Sequence, residues 1–142
     1  MFRGEYNHTI DTKGRLIVPA KFREILGESF VITKGLEGCL SIYNQEGWKD
    51  LEEQLSSLPS NRDTRQIVRF FSAGAADVEL DKQGRILIPA NLREFAGLDK
   101  DVVLTGVIGH IEVWDKERWE GETVFDNMED VAERVSEMGL RL

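Results

Sequence analysis

The chain has 142 residues, 41% of them hydrophobic, and a net charge of −8. That size fits one ordinary domain or two small, mutually dependent ones, and the acidity at face value disfavours a polyanionic partner. Cys39 is the single cysteine, which excludes an intramolecular disulfide. No Cys/His cluster has zinc spacing, and no apolar run approaches the roughly 18 residues of a membrane span, so the expectation is a soluble cytoplasmic protein.

In chain order, residues 5–10 alternate in part and predict a strand. Asp11-Thr12-Lys13-Gly14 predicts a turn, with Gly14 supplying positive φ. Residues 15–18 follow as a strand. Pro19 suits the first position of a short helix over 20–26, with Gly27 beyond its end. Residues 30–34 and 39–43 are β-like and bracket a Gly-x-x-Gly turn. Asn44 is placed to cap a helix reaching about residue 58, with Trp48, Leu51, Leu55 and Leu58 as its apolar stripe and Pro59 as its stop. A second helix is predicted over 61–71, burying Ile67, Phe70 and Phe71. Its other face carries Arg62, Arg65 and Arg69, expected to pair with acidic neighbours such as Glu52 and Glu53 rather than to touch nucleic acid. Strands are then predicted over 76–80 and 85–88, a helix from Pro89, strands near Val102 and Ile111, and a helix capped by Asp115. After residue 120 the chain is acidic, with Val124, Phe125, Met128, Val131, Ala132, Val135 and Met138 at roughly helical spacing. This tail reads as an amphipathic helix that packs on its own body or on a neighbour.

The second half of this plan repeats the first. Residues 11–24 return as 81–94 with seven of fourteen positions identical, and residues 31–48 return as 102–119 with both glycines and the closing tryptophan kept. A tandem duplication of a unit of about 45 residues accounts for this, and units so small are expected to share one core. Charge is uneven. Residues 1–70 hold ten basic and ten acidic side chains, and 71–142 hold eight and sixteen, yet the repeated motif is locally basic: Lys13, Arg15, Lys21 and Arg23 against Asp11 and Glu24, then Lys82, Arg85 and Arg93 against Asp81 and Glu94.

Catalytic chemistry finds little support, because His8 and His110 do not recur at matching positions and neither belongs to a nucleophile–base pattern. Both are expected to be structural or incidental. Gly35-x-x-Gly38 and Gly106-x-x-Gly109 lack the Lys-Ser/Thr and following helix of a phosphate loop, and are expected to be turn glycines. Trp48 and Trp119 are expected in the core. The repeated Asp-x-x-Gly-Arg turn is different. In one reading Asp caps the turn and Arg pairs with it locally, which at a surface is worth only about 0–1 kcal/mol. In the other, Asp holds Arg out from a hairpin tip for bidentate contact with phosphate or guanine, on a two-stranded ribbon that fits the major groove. Physics alone leaves both open.

The residues Met1-Phe2-Arg3-Gly4-Glu5-Tyr6, the run from Asp11 to Ala20 and the second Asp81-x-x-Gly84-Arg85 together resemble the bacterial MraZ family, with two tandem SpoVT-AbrB-like units. The resemblance extends from residue 1 to about residue 120. It implies an α+β fold in which two AbrB-like swapped-hairpin (double-split β-barrel) units form one pseudo-symmetric β core. On that reading residues 5–47 are the first unit, 48–75 a helical connector, 76–119 the second unit and 120–142 an acidic tail. It also implies a non-enzymatic, nucleoid-associated transcriptional regulator of the division and cell-wall gene cluster. Such a protein would bind promoter direct repeats in double-stranded DNA as a ring of about eight subunits, without cofactor, metal or small-molecule substrate. The family's DNA-contacting arginines fall on Arg15 and Arg85, with Asp11, Gly14, Asp81 and Gly84 shaping the loops. Lys13 matches a basic loop position; the second copy has Gln83 there and Lys82 beside it, so the second loop is expected to contribute less. The alternative from another class is an oligomeric scaffold that binds a protein partner through the acidic tail.

Overall fold

Short runs of alternating or continuous apolar residues, broken by turn signals, give eight strands and six helices in the computed structural model, which describes residues 1–142. The first copy supplies β1 (Phe2–Thr9), β2 (Arg15–Ile17), α1 (Ala20–Leu26), β3 (Ser29–Lys34) and β4 (Leu40–Tyr43). Helices α2 (Gln45–Ser56) and α3 (Arg62–Ala73) lead to the second copy, β5 (Ala76–Glu79), β6 (Arg85–Leu87), α4 (Ala90–Ala96), β7 (Asp101–Ile108) and β8 (Ile111–Asp115). Two further helices, α5 (Lys116–Glu122) and α6 (Met128–Ser136), end the chain. The acidic tail is therefore interrupted over residues 123–127 rather than forming one helix.

The copies interleave. An antiparallel six-stranded sheet runs β1-β7-β8-β4-β3-β5, so the first strand of each copy pairs with the third strand of the other. Phe2 lies opposite Ile108 and Thr9 opposite Asp101 in one such pair; Ser29 lies opposite Glu79 and Ile32 opposite Ala76 in the other. β4 and β8 meet at the centre, and β2 and β6 form a separate two-stranded ladder. Continuous buried runs in β3 (Phe30–Thr33) and β7 (Val102–Thr105) mark strands covered on both faces.

One cluster of 19 buried residues joins the two copies, with Leu16 and Ile86, Val18 and Ile88, and Phe22 and Leu92 as equivalent contributors. In α1 and α4 the residues four apart, Phe22 with Leu26 and Leu92 with Ala96, form the inward stripe. Pro19 and Pro89 stand at the N-cap, one place ahead of the expected first helical position.

Both helices expected between the copies form, each with a side-chain cap. The Asn44 side chain accepts from the Gly47 amide at 2.7 Å, and Asn61 and Thr64 bond reciprocally as a capping box. Their burial is shallower than the sequence suggests. α2 buries no residue fully, and in α3 only Phe71 is buried, with Ile67 and Phe70 half-covered. The buried Thr33 hydroxyl donates to the Phe71 carbonyl at 2.7 Å and ties α3 to β3. Arg62, Arg65 and Arg69 form no ion pair, so the expected partnership with Glu52 and Glu53 does not occur; the ion pairs of the chain are Asp11–Arg15 and Asp81–Arg85, and His110, whose burial favours its neutral form, lies 4.0 Å from Glu112. Trp48 and Trp119 are half-buried, and the buried tryptophan is Trp114, whose indole N–H donates to Glu112 at 3.0 Å.

Gly106 is not a turn glycine. It lies in β7 opposite Gly4, and a Cβ there would overlap the backbone of Phe2 and Arg3. Gly106→Ala is expected to lower stability by about 1–3 kcal/mol, the usual cost of forcing extra atoms into a packed site. Gly109→Ala, where a Cβ meets nothing within 4 Å, is expected to change little. Urea unfolding of both variants checks the contrast.

Candidate nucleic-acid interface

Each repeated hairpin tip is organised by one carboxylate. Asp11 Oδ1 accepts from the amides of Lys13 at 3.0 Å and Arg15 at 2.8 Å, and Oδ2 accepts from Arg15 Nε at 2.6 Å. Asp81 repeats the arrangement with Gln83, Arg85 and Arg85 Nε, each at 2.9 Å. Backbone bonds close the turn: the Asp11 amide donates to the Arg15 carbonyl and the Gly14 amide to the Asp11 carbonyl, both at 3.0 Å. Gly14 at φ +91° and Gly84 at φ +77° make the reversal in the region that favours glycine.

The donors around Asp11 favour its charged form. Chiefly the Arg15 amide, then the Arg15 side chain and the Lys13 amide, hold its pKa at about 2, below the ordinary 3.8, and together outweigh desolvation, which opposes them. The Arg85 amide lowers Asp81 in the same way. Both carboxylates are thus ionised at neutral pH and hold their arginines by Nε alone. The Nη1 and Nη2 groups have no protein acceptor, and the side chains of Arg15 and Arg85 remain 38% and 27% exposed.

The two tips form one surface. In the β2–β6 ladder Arg15 lies opposite Leu87 and Ile17 opposite Arg85, while Leu16 and Ile86 turn inward. Strand alternation therefore puts Arg15, Ile17, Arg85 and Leu87 on one outward face, with the arginines as diagonal neighbours about 7–8 Å apart. The Gly84 carbonyl accepts from the Val18 amide at 3.0 Å and the Gly14 carbonyl from the Ile88 amide at 2.9 Å, locking each tip to the other copy. Arg93 of the second copy sits on Gly14 of the first, its Nε donating to the Ile88 carbonyl at 3.0 Å, and Arg23 sits on Gly84 in return. Lys13 and Lys82 extend from the tips, exposed and unpaired.

All eight predicted site and loop residues therefore fall on this ribbon and its tips. Sequence reasoning missed Ile17 and Leu87, 44% and 58% exposed beside the arginines. Their signal was available: in a three-residue strand whose middle residue is buried, the apolar neighbour must face out. It also missed the reciprocal seating of Arg23 and Arg93, which depends on contacts between copies that spacing does not encode.

Elsewhere the reactive side chains serve packing. Burial pushes the Cys39 thiol up to about 12, and its Sγ donates to the Leu36 carbonyl. His110 stacks on Tyr43 at 4.9 Å, and its burial lowers its pKa. No group of three or more His, Cys, Asp or Glu is arranged to hold a metal ion, and no helix is long and apolar enough to cross a membrane.

Fold and site together define a tandem-repeat α+β protein that presents paired, carboxylate-braced arginines on an outward ribbon. The family model described as "MraZ protein, putative antitoxin-like" matches residues 1–71 and again 70–141, and the chain belongs to the MraZ family. A protein of Lachnoclostridium phytofermentans named transcriptional regulator MraZ is 61% identical over 99% of both chains. Relatives of the same name from Acetivibrio thermocellus and Moorella thermoacetica are 57% and 56% identical, covering 99% and 95% of this chain and 100% and 96% of theirs. A solution structure of a Pyrococcus horikoshii protein aligns over 80% of this chain and 88% of that one at 18% identity and a TM-score of 0.33, too low to bear on the fold.

Because the folded pKa of Asp11 is depressed, its contribution to loop order is fully present above pH 3.8 and is lost as pH falls through about 2. In an NMR titration the Asp11 carboxyl and the Arg15 Nε proton are expected to move together with a midpoint near 2. A midpoint at the ordinary aspartate value would show that the brace does not form.

Proposed function

We propose that this protein is a sequence-specific DNA-binding transcriptional regulator that lays the β2–β6 ribbon in the major groove. The observation that carries the reading is the pair of arginines braced through Nε, with their Nη ends unoccupied on one outward face. An Nη1/Nη2 pair matches guanine O6/N7 or two phosphate oxygens, and a two-stranded ribbon is among the elements the major groove admits. Ile17 and Leu87 lie where a thymine methyl would be met. Lys13, Lys82, Arg23 and Arg93 supply the surrounding positive charge that offsets the acidic body. The names of the relatives, transcriptional regulator MraZ, support the class.

Within this reading residues 5–47 and 76–119 are the two AbrB-like units of a swapped-hairpin, double-split barrel, 48–75 the connector and 120–142 the tail. The protein acts without catalysis in the cytoplasm at the nucleoid. It binds direct repeats before the division and cell-wall gene cluster as a ring of about eight subunits, whose avidity raises affinity by about 10²–10⁴ over one site. Neighbours in a ring are related head-to-tail, hence direct repeats rather than a palindrome.

Arg15→Ala is expected to weaken binding to promoter DNA by about 1–3 kcal/mol for each loop engaged, with circular dichroism unchanged. Arg85→Ala is expected to cost less, in line with its lower exposure and the Gln83 beside it. Fluorescence anisotropy at several salt concentrations checks both, since phosphate contacts make log affinity fall linearly with log salt. An intact Arg15→Ala fold with unchanged affinity would place the binding surface elsewhere.

A further inference from the structure

Helix α3 carries three arginines that nothing in the chain neutralises. At about 100° per residue, Arg62, Arg65 and Arg69 fall within an arc of about 60°, on the side away from the buried Phe71 and the half-buried Ile67. All three are exposed, and none pairs with a carboxylate. Their side chains make one hydrogen bond, a long one from Arg65 Nη1 to the Ser60 hydroxyl at 3.4 Å. The single carboxylate of α3, Asp63, lies off the stripe, about 100° round from Arg62. The stripe also lies close to the ribbon. The Phe70 ring meets Phe95 of α4 edge to face at 5.9 Å. Arg93, two residues before Phe95 on α4, is the side chain that seats on Gly14 of the first tip. α4 alone therefore separates α3 from that tip, and packed helices stand about 8–10 Å apart.

We propose that the Arg62, Arg65 and Arg69 stripe of α3 binds the phosphates of the duplex that the ribbon engages, without reading its sequence. The proposal rests on the DNA reading above and adds a second contact surface to it. From Arg62 to Arg69 the stripe runs about 10 Å along the helix axis. A duplex strand carries one phosphate per about 3.4 Å of its axis, so a helix laid along it passes about three, one for each guanidinium. The chemistry of the face favours phosphate over a protein partner. Between and beside the arginines stand Gln66, Ser72 and Ala73, all exposed, with no large apolar side chain among them. The centre of a protein–protein contact is depleted of charge and rich in aromatic residues, whereas DNA-binding surfaces are polar and positive. The stripe also gives a chain of net charge −8 a local source of the electrostatic affinity on which sequence-independent binding depends.

Fluorescence anisotropy of the full chain on a promoter duplex and on a random duplex of equal length, over a series of salt concentrations, tests the proposal. The chain carrying Arg62→Gln, Arg65→Gln and Arg69→Gln keeps good helix formers at all three positions. It is expected to lose affinity for both duplexes by the same factor, and its slope of log affinity against log salt to become shallower by about 0.9 per arginine. The same loss is expected on top of Arg15→Ala, which by itself removes the preference between the duplexes. Arg62→Lys with Arg65→Lys and Arg69→Lys, which keeps three point charges, is expected to retain the slope. A chain carrying Lys49→Gln, Arg134→Gln and Arg141→Gln, three exposed positions outside the ribbon, has the same net charge as the glutamine variant and is expected to retain it as well. The proposal is overturned if the glutamine variant binds both duplexes as the unmodified chain does, or if the charge-matched control loses as much. It is equally overturned if light scattering shows that the glutamine variant changes the size of the assembly, which would assign the stripe to subunit contacts. Each of those results leaves the ribbon reading standing, whereas an unmodified chain that binds neither duplex overturns the ribbon and the stripe together.

Discussion

Strand exchange between the two copies is the constraint from which the rest follows. β1 finds its partner in β7 and β5 finds its partner in β3, so neither copy contains a complete sheet. A unit of about 45 residues rarely buries enough apolar surface alone, and interleaving pools the apolar residues of both into one cluster. The same exchange places β2 beside β6, with no sheet above them, and so creates the outward ribbon. Core and surface thus have one origin. A further result is that much of the cohesion is between residues distant in sequence, a topology associated with slow folding.

The hairpin tips illustrate how little energy it takes to orient a side chain. An exposed ion pair is worth about 0–1 kcal/mol, so the Asp11–Arg15 and Asp81–Arg85 pairs matter less for stability than for direction. Each carboxylate collects two amides and one Nε, which removes most of the rotational freedom of the loop and of the arginine. A guanidinium already oriented forfeits less entropy when it meets its partner. Arg suits the role because its Nε can be held while its outer donors stay available, whereas a lysine bound to aspartate would have only one nitrogen to offer. The opposite copy completes the brace through Arg23, Arg93 and the paired glycine carbonyls.

The elements were legible because their signals are local. Asn44 and Asp115 cap helices where they were expected to, Asn61 caps the helix it was expected to begin, and Gly14 and Gly84 turn the chain. The candidate site stood out in the sequence for another reason: duplication repeats Asp-x-x-Gly-Arg in two contexts and separates it from residues that occur once. What stayed hidden is non-local. Gly106 resembles a turn glycine in a Gly-x-x-Gly string, and only its register with Gly4 shows the close backbone approach. Arg62, Arg65 and Arg69 read as paired because Glu52 and Glu53 are near in sequence, yet the helices bring none of them together. Trp48 and Trp119 repeat at equivalent positions but stop half-buried, because both stand at the first turn of a helix that leaves the sheet.

The connector of α2 and α3 has a consequence beyond linking the copies. Where such a core is made by two identical chains, both loops must share one sequence, and every change appears twice. Here the copies lie on a single polypeptide, so their loops are free to diverge, and they have: Lys13 stands at one tip and Gln83 at its counterpart. The ribbon therefore has a head and a tail. A reader with distinguishable ends can tell the two orientations of a duplex apart, which a strictly two-fold reader cannot.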